Sequence, residues 1–204
     1  MSYSEFTLET VERQFGITTQ ELVLFPKAQA AKVPDWLLQG LARGTRLALI
    51  SEKARSEFIV APILMAAREL SGDRVAIYSG QRLDVDQAEG LVGECDFILA
   101  LGLAVPPLHA PIMTVVEAKK NDIEVGLGQC IAQMVAARKF NEAAGLATSP
   151  AYGCVTTGET WQFLRLVDKS AQLDRDRCYL NNVSGILGVL QAIYQEAAIA
   201  WPKP

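Results

Sequence analysis

Two short apolar runs, joined by a proline-containing connection, constrain the fold of this chain more than any other feature. The first includes Phe97–Leu99 and the second Ile112–Val116, and both are rich in Val, Ile and Phe, as short β-strands are. Pro106, Pro107 and Pro111 interrupt the stretch between them, which argues against one membrane-spanning helix. We therefore expect a strand, a loop and a second strand, with the two strands adjacent in one sheet.

Helical and strand-like patterns alternate around these runs. A helix is predicted from about Glu52 to Leu70, with Ser51 as its N-cap and a kink at Pro62, and a strand is predicted over Arg74–Tyr78. The remaining expected elements are a helix over 123–140, strands over 152–156 and 160–167, and a helix over 183–200. This order predicts an α/β fold, with a central mixed sheet flanked by helices.

The N-terminal segment looks helical. Thr7–Phe15 ends at Gly16, and Pro34–Gly44 has proline near its start and glycine near its end. We expect residues 1–48 to form an N-terminal helical extension and residues 49–204 to form one domain. With 204 residues, 50% of them hydrophobic, the chain is long enough to bury a full core.

Charge and cysteine content exclude some classes of protein. A net charge of -4 argues against a strongly basic nucleic-acid coat protein but leaves room for a local basic cleft. The four cysteines are widely spaced and the chain has one histidine, His109, so a Cys/His zinc site is not expected. The first residues lack the basic and apolar regions of a secretory signal. We expect free thiols, a cytoplasmic location and no membrane association.

Ionisable side chains lie at the ends of the two predicted strands. Asp96 immediately precedes Phe97, and Glu117 and Lys119 close the run that starts at Ile112. Because strand side chains alternate between faces, Glu117 and Lys119 point the same way. If the strands are neighbours, the three side chains converge. Two carboxylates and one ammonium at a sheet edge can hold a hard divalent cation and orient a water molecule, as a metal-dependent phosphodiesterase requires.

These residues resemble the signature of the PD-(D/E)XK superfamily of restriction-endonuclease-like nucleases. That family carries an acid on a helix, an Asp at one strand, (D/E)-x-Lys at the next strand and often a Gln on the following helix. The stretch Tyr152–Phe163 is also similar to the end of such domains, including the N-terminal domain of type I restriction-enzyme R subunits. The matching positions are Glu52, Asp96, Glu117-Ala118-Lys119 and Gln129.

The resemblance implies a restriction-endonuclease-like fold and hydrolysis of DNA that depends on Mg²⁺ or Mn²⁺. Asp96 and Glu117 would bind the metal, with the backbone carbonyl of Ala118 as a further ligand. Lys119 would act on the attacking water. The other two matching residues, Glu52 and Gln129, would complete the metal's surroundings and hydrogen-bond a ligand or a phosphate.

Other interpretations of the same residues stay open. The chain could be a binding module on this fold with a degenerate site, contacting nucleic acid or protein, or an unrelated α/β protein whose acids are incidental. Glu57 lies about 140° around the helix from Glu52, so we expect it on a solvated face. Gln133 is expected on a polar helix face. Since no helicase or target-recognition region is present, a nuclease of this kind would act alone, beside another chain or, as we expect, as a homo-oligomer.

Overall fold

A computed structural model describes residues 1–48, 51–103, 105–147 and 150–201. Within these residues, eight strands form one sheet. The strands are β1 Thr18–Leu22, β2 Val75–Arg82, β3 Glu94–Leu101, β4 Ile112–Ala118, β5 Ala151–Thr156, β6 Thr160–Val167, β7 Ser170–Asp174 and β8 Cys178–Tyr179. The α-helices are α1 Leu8–Phe15, α2 Asp35–Ala48, α3 Glu52–Arg55, α4 Ala61–Leu70, α5 Glu124–Ala143 and α6 Val183–Ala200, with a π-helical turn over Ser56–Val60.

The sheet is mixed, as the sequence predicts. Its strand order is β1-β7-β6-β5-β4-β3-β2, with β8 paired to β6. The pairs β4–β5 and β1–β7 are parallel and the others are antiparallel. The predicted adjacency of the Asp96 and Glu117 strands is confirmed, since β3 pairs with β4 and Phe97 lies opposite Val116. The start of β3 and the end of β4 therefore lie at the same edge of the sheet.

Two hydrophobic layers sandwich the sheet. Helices α2, α4 and α6 cover one face, where Val116 is buried, and α1 and α5 cover the other, where Val115 is buried. The alternation of these two neighbours follows from the pleat of β4. Among the described residues, Leu180–Ala200 is the one helical segment long and apolar enough to cross a membrane. Its buried side, including Ile186 and Ile193, packs into the core, which accounts for its composition.

The N-terminal segment is less helical than predicted. Helices α1 and α2 are confirmed, and Gly16 ends α1 in the left-handed region with a φ of 63°. Strand β1 was missed. It pairs in parallel with β7, with Thr18 opposite Ser170, so residues 1–48 contribute an edge strand to the sheet. This strand is mostly exposed and polar, and it therefore lacks the apolar alternation that identifies a half-buried strand. The expected boundary after residue 48 borders residues 49 and 50, which lie outside the described residues.

The helix after Ser51 begins as predicted and then changes its winding. The Ser51 Oγ accepts a hydrogen bond from the Ala54 N–H at 3.1 Å, which confirms the N-cap. The predicted single helix runs as α3, a π-helical turn and α4. Pro62 has no N–H to donate and is the second residue of α4, just after this turn. The wider π-helical turn accommodates the proline and alters which side chains share a face.

Candidate active site at the β3–β4 edge

Asp96 and Glu117 meet where β3 begins and β4 ends. They stand opposite each other, one position beyond the paired residues Phe97 and Val116. Asp96 is half-buried, and its Oδ2 accepts a hydrogen bond from the Ala118 N–H at 2.7 Å. Glu117 is 3% exposed. The antiparallel pairing thus brings together the two acids that the sequence singles out.

The Glu117 carboxylate is held on both oxygens. Its Oε1 accepts from the Lys119 ammonium at 2.7 Å, and its Oε2 accepts from the Gln133 Nε2 at 2.8 Å. Burial, together with the charge of Asp96, nevertheless raises the pKa of Glu117 to about 7. Burial outweighs the two hydrogen bonds, so this acid takes up a proton far more readily than an exposed glutamate does.

Lys119 remains a cation in this environment. It lies on the same face as Glu117, as strand alternation predicts, and its Nζ also donates to the Gln129 Oε1 at 3.1 Å. Burial lowers the pKa of Lys119, but the charge and hydrogen bond of Glu117 more than offset that effect, and the net pKa is raised. Gln129 therefore helps to orient the Lys119 ammonium, the group that is predicted to act on the attacking water.

The site carries excess negative charge. Burial raises the pKa of Asp96, and the charges of Glu52 and Glu94 add to that effect, while the Ala118 N–H and Lys119 oppose it. Burial is the main cause of the raised pKa values of both Asp96 and Glu117, and the acids gathered around them, including Glu52, add to it. A bound cation would relieve this repulsion.

An open cleft of about 400 Å³ adjoins the two strand ends, and we call it the acidic cleft. Acids outnumber bases along it, since Lys53 is the one basic residue among the described side chains that line it. Glu117 does not line the cleft, in keeping with its near-complete burial. The lining residues are Glu52, Lys53, Ser56, Glu57, Ser79, Gly80, Glu94, Asp96 and Ala118.

Two acids of the helix after Ser51 border this cleft, whereas the sequence predicted that only one would. Glu52 is exposed, and its Oε2 accepts a hydrogen bond from the Lys120 N–H at 3.1 Å. Glu57 is exposed, which confirms its predicted place on a solvated face, but it also lines the acidic cleft together with Glu52. The π-helical turn that begins at Ser56 advances less per residue around the axis than an α-helix does, so Glu57 lies nearer to Glu52 than α-helical spacing places it.

Gln133 is the contributor that sequence analysis missed. The expected polar, solvated position is fully buried, and the side chain supplies one of the two hydrogen bonds to Glu117. Its Oε1 has no hydrogen-bond partner in the described part of the chain. Its place one helical turn after Gln129 was a usable signal, because residues four apart share a helix face.

The few oxygen donors present suit Mg²⁺, which keeps several water ligands, better than a cation that takes all of its ligands from the protein. No three His, Cys, Asp or Glu side chains converge on one point in the described ranges. A metal here would take Asp96, Glu117 and the carbonyl of Ala118, and would keep waters or phosphate oxygens in its other positions, as Mg²⁺ does. The Ala118 N–H points to Asp96, and a strand residue directs its N–H and C=O to the same side. The donor set and the excess negative charge both fit such an ion.

Comparisons with known proteins do not assign a family. No protein-family model matches this chain, and a search of curated proteins finds no match either. The functional argument therefore rests on the geometry of the β3–β4 edge and on the charges around it.

Proposed function

We propose that this protein is a Mg²⁺-dependent nuclease of the PD-(D/E)XK type that hydrolyses phosphodiester bonds in DNA. One observation carries the proposal. Asp96 and Glu117 face each other at adjacent strand ends beside an open cleft, and the Lys119 ammonium lies 2.7 Å from Glu117. Two carboxylates and a cation in this relation can hold a metal and act on a water molecule.

The order of elements supports the fold part of the proposal. From α4 to β5 the chain runs helix, three strands, helix, strand, with Asp96 on β3 and Glu117 on β4. Gln129 lies on the next helix, α5, and Glu52 on the helix before the strands. This is the order in which the PD-(D/E)XK family carries its acid, Asp, (D/E)-x-Lys and Gln.

The division of labour among the residues follows from their contacts. Asp96 and Glu117 would supply carboxylate oxygens for the metal, which would lower the pKa of water and neutralise charge on the phosphate. Within the described residues, Lys119 uses two of its three N–H groups, on Glu117 and Gln129. The third can donate to the attacking water or to a phosphate oxygen. Glu52 fixes the chain after Lys119 through its hydrogen bond with the Lys120 N–H.

A binding module with a degenerate site is the second candidate, and one observation favours it. Both oxygens of Glu117 already have partners, Lys119 and Gln133, and the carboxylate does not reach the acidic cleft. If this closed arrangement persists in solution, metal would bind poorly and DNA would be held without being cut.

The test is cleavage of plasmid and single-stranded DNA in Mg²⁺, in Mn²⁺ and in EDTA. We expect cleavage only with a divalent cation, and a loss of about a hundredfold or more in rate for Lys119→Ala. Lys119→Gln keeps an N–H donor for Glu117 and so separates loss of the charge from damage to the fold. Lys32→Ala, an exposed lysine in the β1–α2 connection, is the matched control and should cleave like wild type.

Two outcomes would contradict the proposal. Wild type that binds DNA but does not cut it in either metal supports the degenerate module. Cleavage by Lys119→Ala at the wild-type rate would place the activity at another site or in a contaminant.

A further inference from the structure

A second cleft, of about 290 Å³, borders the same turn of chain as the acidic cleft. Ala118 lines the acidic cleft, and Lys120, two residues later, lines the second. Glu52 and Arg55, one helical turn apart, also line different clefts. Glu52 lines the acidic cleft and Arg55 lines the second. The two clefts are therefore neighbours, and Lys119 lies in the segment between them.

Among the described residues, three cationic side chains border the second cleft, namely Arg55, Lys120 and Arg177. Three carboxylates line it as well, those of Asp122, Glu124 and Glu159. Among the described residues that line the acidic cleft, one is a lysine, and the carboxylates there would repel a polyanion. A strand of DNA that places one phosphate at Lys119 needs basic side chains next to the acidic cleft, and the second cleft supplies them.

Arg55 is built into this cleft rather than lying on the surface. It is 7% exposed, and its Nη1 donates to the carbonyl oxygen of Thr157 at 2.9 Å, which fixes the guanidinium. Its Nε has no hydrogen-bond partner in the part of the chain that the structure describes. Burying a cation with an unused donor is costly, so this group has unused capacity for an anion.

The carboxylates that accompany these cations, those of Asp122, Glu124 and Glu159, are all exposed. Arg55 Nη1 lies 3.3 Å from Glu159, and Arg177 Nη2 lies 2.5 Å from Glu124, and each glutamate side chain is 60% exposed. Pairs with so exposed a partner contribute little to stability, so an incoming anion can displace the glutamates. Lys120 forms no ion pair within the described residues.

The start of α5 adds to the positive potential. Ile123 and Glu124, at the first turn of this 20-residue helix, line the second cleft. The Glu124 N–H already donates to the Asp122 Oδ1 at 2.9 Å, and the dipole of the helix N-terminus adds a favourable potential for an anion beside it. This contribution supplements the three side chains and does not depend on them.

We propose that the second cleft binds a phosphate of the DNA strand adjacent to the one held at Lys119, through Arg55, Lys120 and Arg177. The proposal rests on the proposed function and specifies where the substrate backbone lies. Glu124 pairs with the guanidinium of Arg177, and Glu159 pairs with that of Arg55, until the phosphate replaces these two carboxylates.

The test measures DNA binding in EDTA, where cleavage plays no part. Lys120→Ala and Arg177→Gln should each raise the Kd for a DNA duplex roughly tenfold. Each should also lower the dependence of log Kd on log salt by about one, because one phosphate contact is lost. Glu124→Gln and Glu159→Gln should tighten binding, since they free a guanidinium. Lys32→Ala removes a lysine elsewhere and should change neither quantity beyond a small screening effect.

Several results would overturn the proposal. The first is that Lys120→Ala and Arg177→Gln bind DNA with the same Kd, and the same dependence of log Kd on log salt, as the control Lys32→Ala. Another is weaker binding in Glu124→Gln and Glu159→Gln. Inorganic phosphate should compete with DNA only at high concentration; if these substitutions abolish binding of inorganic phosphate but leave DNA binding intact, the cleft takes free phosphate instead. The binding test is independent of the cleavage test. If the wild type cleaves no DNA but these variants show the expected losses of binding, the nuclease proposal fails and the proposal for the second cleft stands.

Discussion

Glu117→Gln should change how the stability of the protein depends on pH. Burial raises the pKa of Glu117 to about 7, whereas the same side chain in the unfolded chain titrates near 4.5. The folded protein therefore binds this proton more tightly, and the free energy of unfolding falls as pH rises from 4.5 to 7. The difference between the two pKa values, 4.5 and about 7, corresponds to a loss of about 3 kcal/mol in the free energy of unfolding over this pH range.

The neighbouring groups do not reverse this sign. Burial also raises the pKa of Asp96, which makes the folded state lose stability with rising pH in wild type and variant alike. The pKa of Lys119 is raised above 10.5, so its favourable contribution is complete throughout this range. Glutamine does not titrate. The difference in unfolding free energy between Glu117→Gln and wild type should therefore move by about 3 kcal/mol in favour of the variant between pH 4.5 and pH 8.

Urea unfolding in EDTA, at a series of pH values across this range, measures that difference. Any cost of the substitution that does not depend on the protonation of Glu117, such as altered packing, shifts the variant equally at every pH and cancels. Parallel curves for the two proteins would show that Glu117 titrates like an exposed glutamate, and would refute the electrostatic account of the site.

Three further predictions test the metal site and the packing. Mn²⁺ should raise the melting temperature of wild type, more at pH 8 than at pH 5 because the ligands must lose protons, and thermal melts of Glu117→Gln should show little of this shift. Gly128→Ala places a Cβ 2.3 Å from a backbone atom of Thr7 and should lower the free energy of unfolding by roughly 1–3 kcal/mol. Gly40→Ala meets nothing within 4 Å and should stabilise α2 by about 0.5–1 kcal/mol. Urea unfolding measures both. Asn141→Ala removes the two hydrogen bonds, each 2.8 Å, to the backbone of Ile112, and should lower the unfolding free energy by roughly 1–3 kcal/mol.

Local signals in the sequence predicted much of the fold. The last helix spans Val183–Ala200, as its apolar pattern indicates, and Ser51 caps its helix because its hydroxyl can reach a free N–H. The β5–β6 hairpin and the adjacency of β3 and β4 followed from short connections. Such features depend on residues that are close in sequence, so the sequence alone could predict them.

The rest depended on contacts that sequence spacing does not encode. Strand β1 owes its conformation to β7, about 150 residues away, and not to its own polar residues. Gln133 is buried on α5 and donates to Glu117, and Glu57 lines the acidic cleft from a π-helical turn that precedes Pro62. The convergence of Asp96, Glu117 and Lys119 was predictable, but the burial of Glu117 was not, since burial is set by the helix packed across it.

The parallel pairing of β1 with β7 has a consequence for how the protein acquires its structure. Thr18 lies opposite Ser170 and its N–H donates to the Lys169 carbonyl oxygen at 2.8 Å, so an early segment of the chain completes its edge of the sheet only after a late one has been made. On a ribosome, Thr18–Leu22 would emerge long before its partner and would remain an unpaired strand during synthesis of the rest. Closing so long a loop makes folding slow relative to a chain whose contacts are local. Its polar side chains suit such a delay, because an unpaired polar strand is less prone to aggregate than an apolar one.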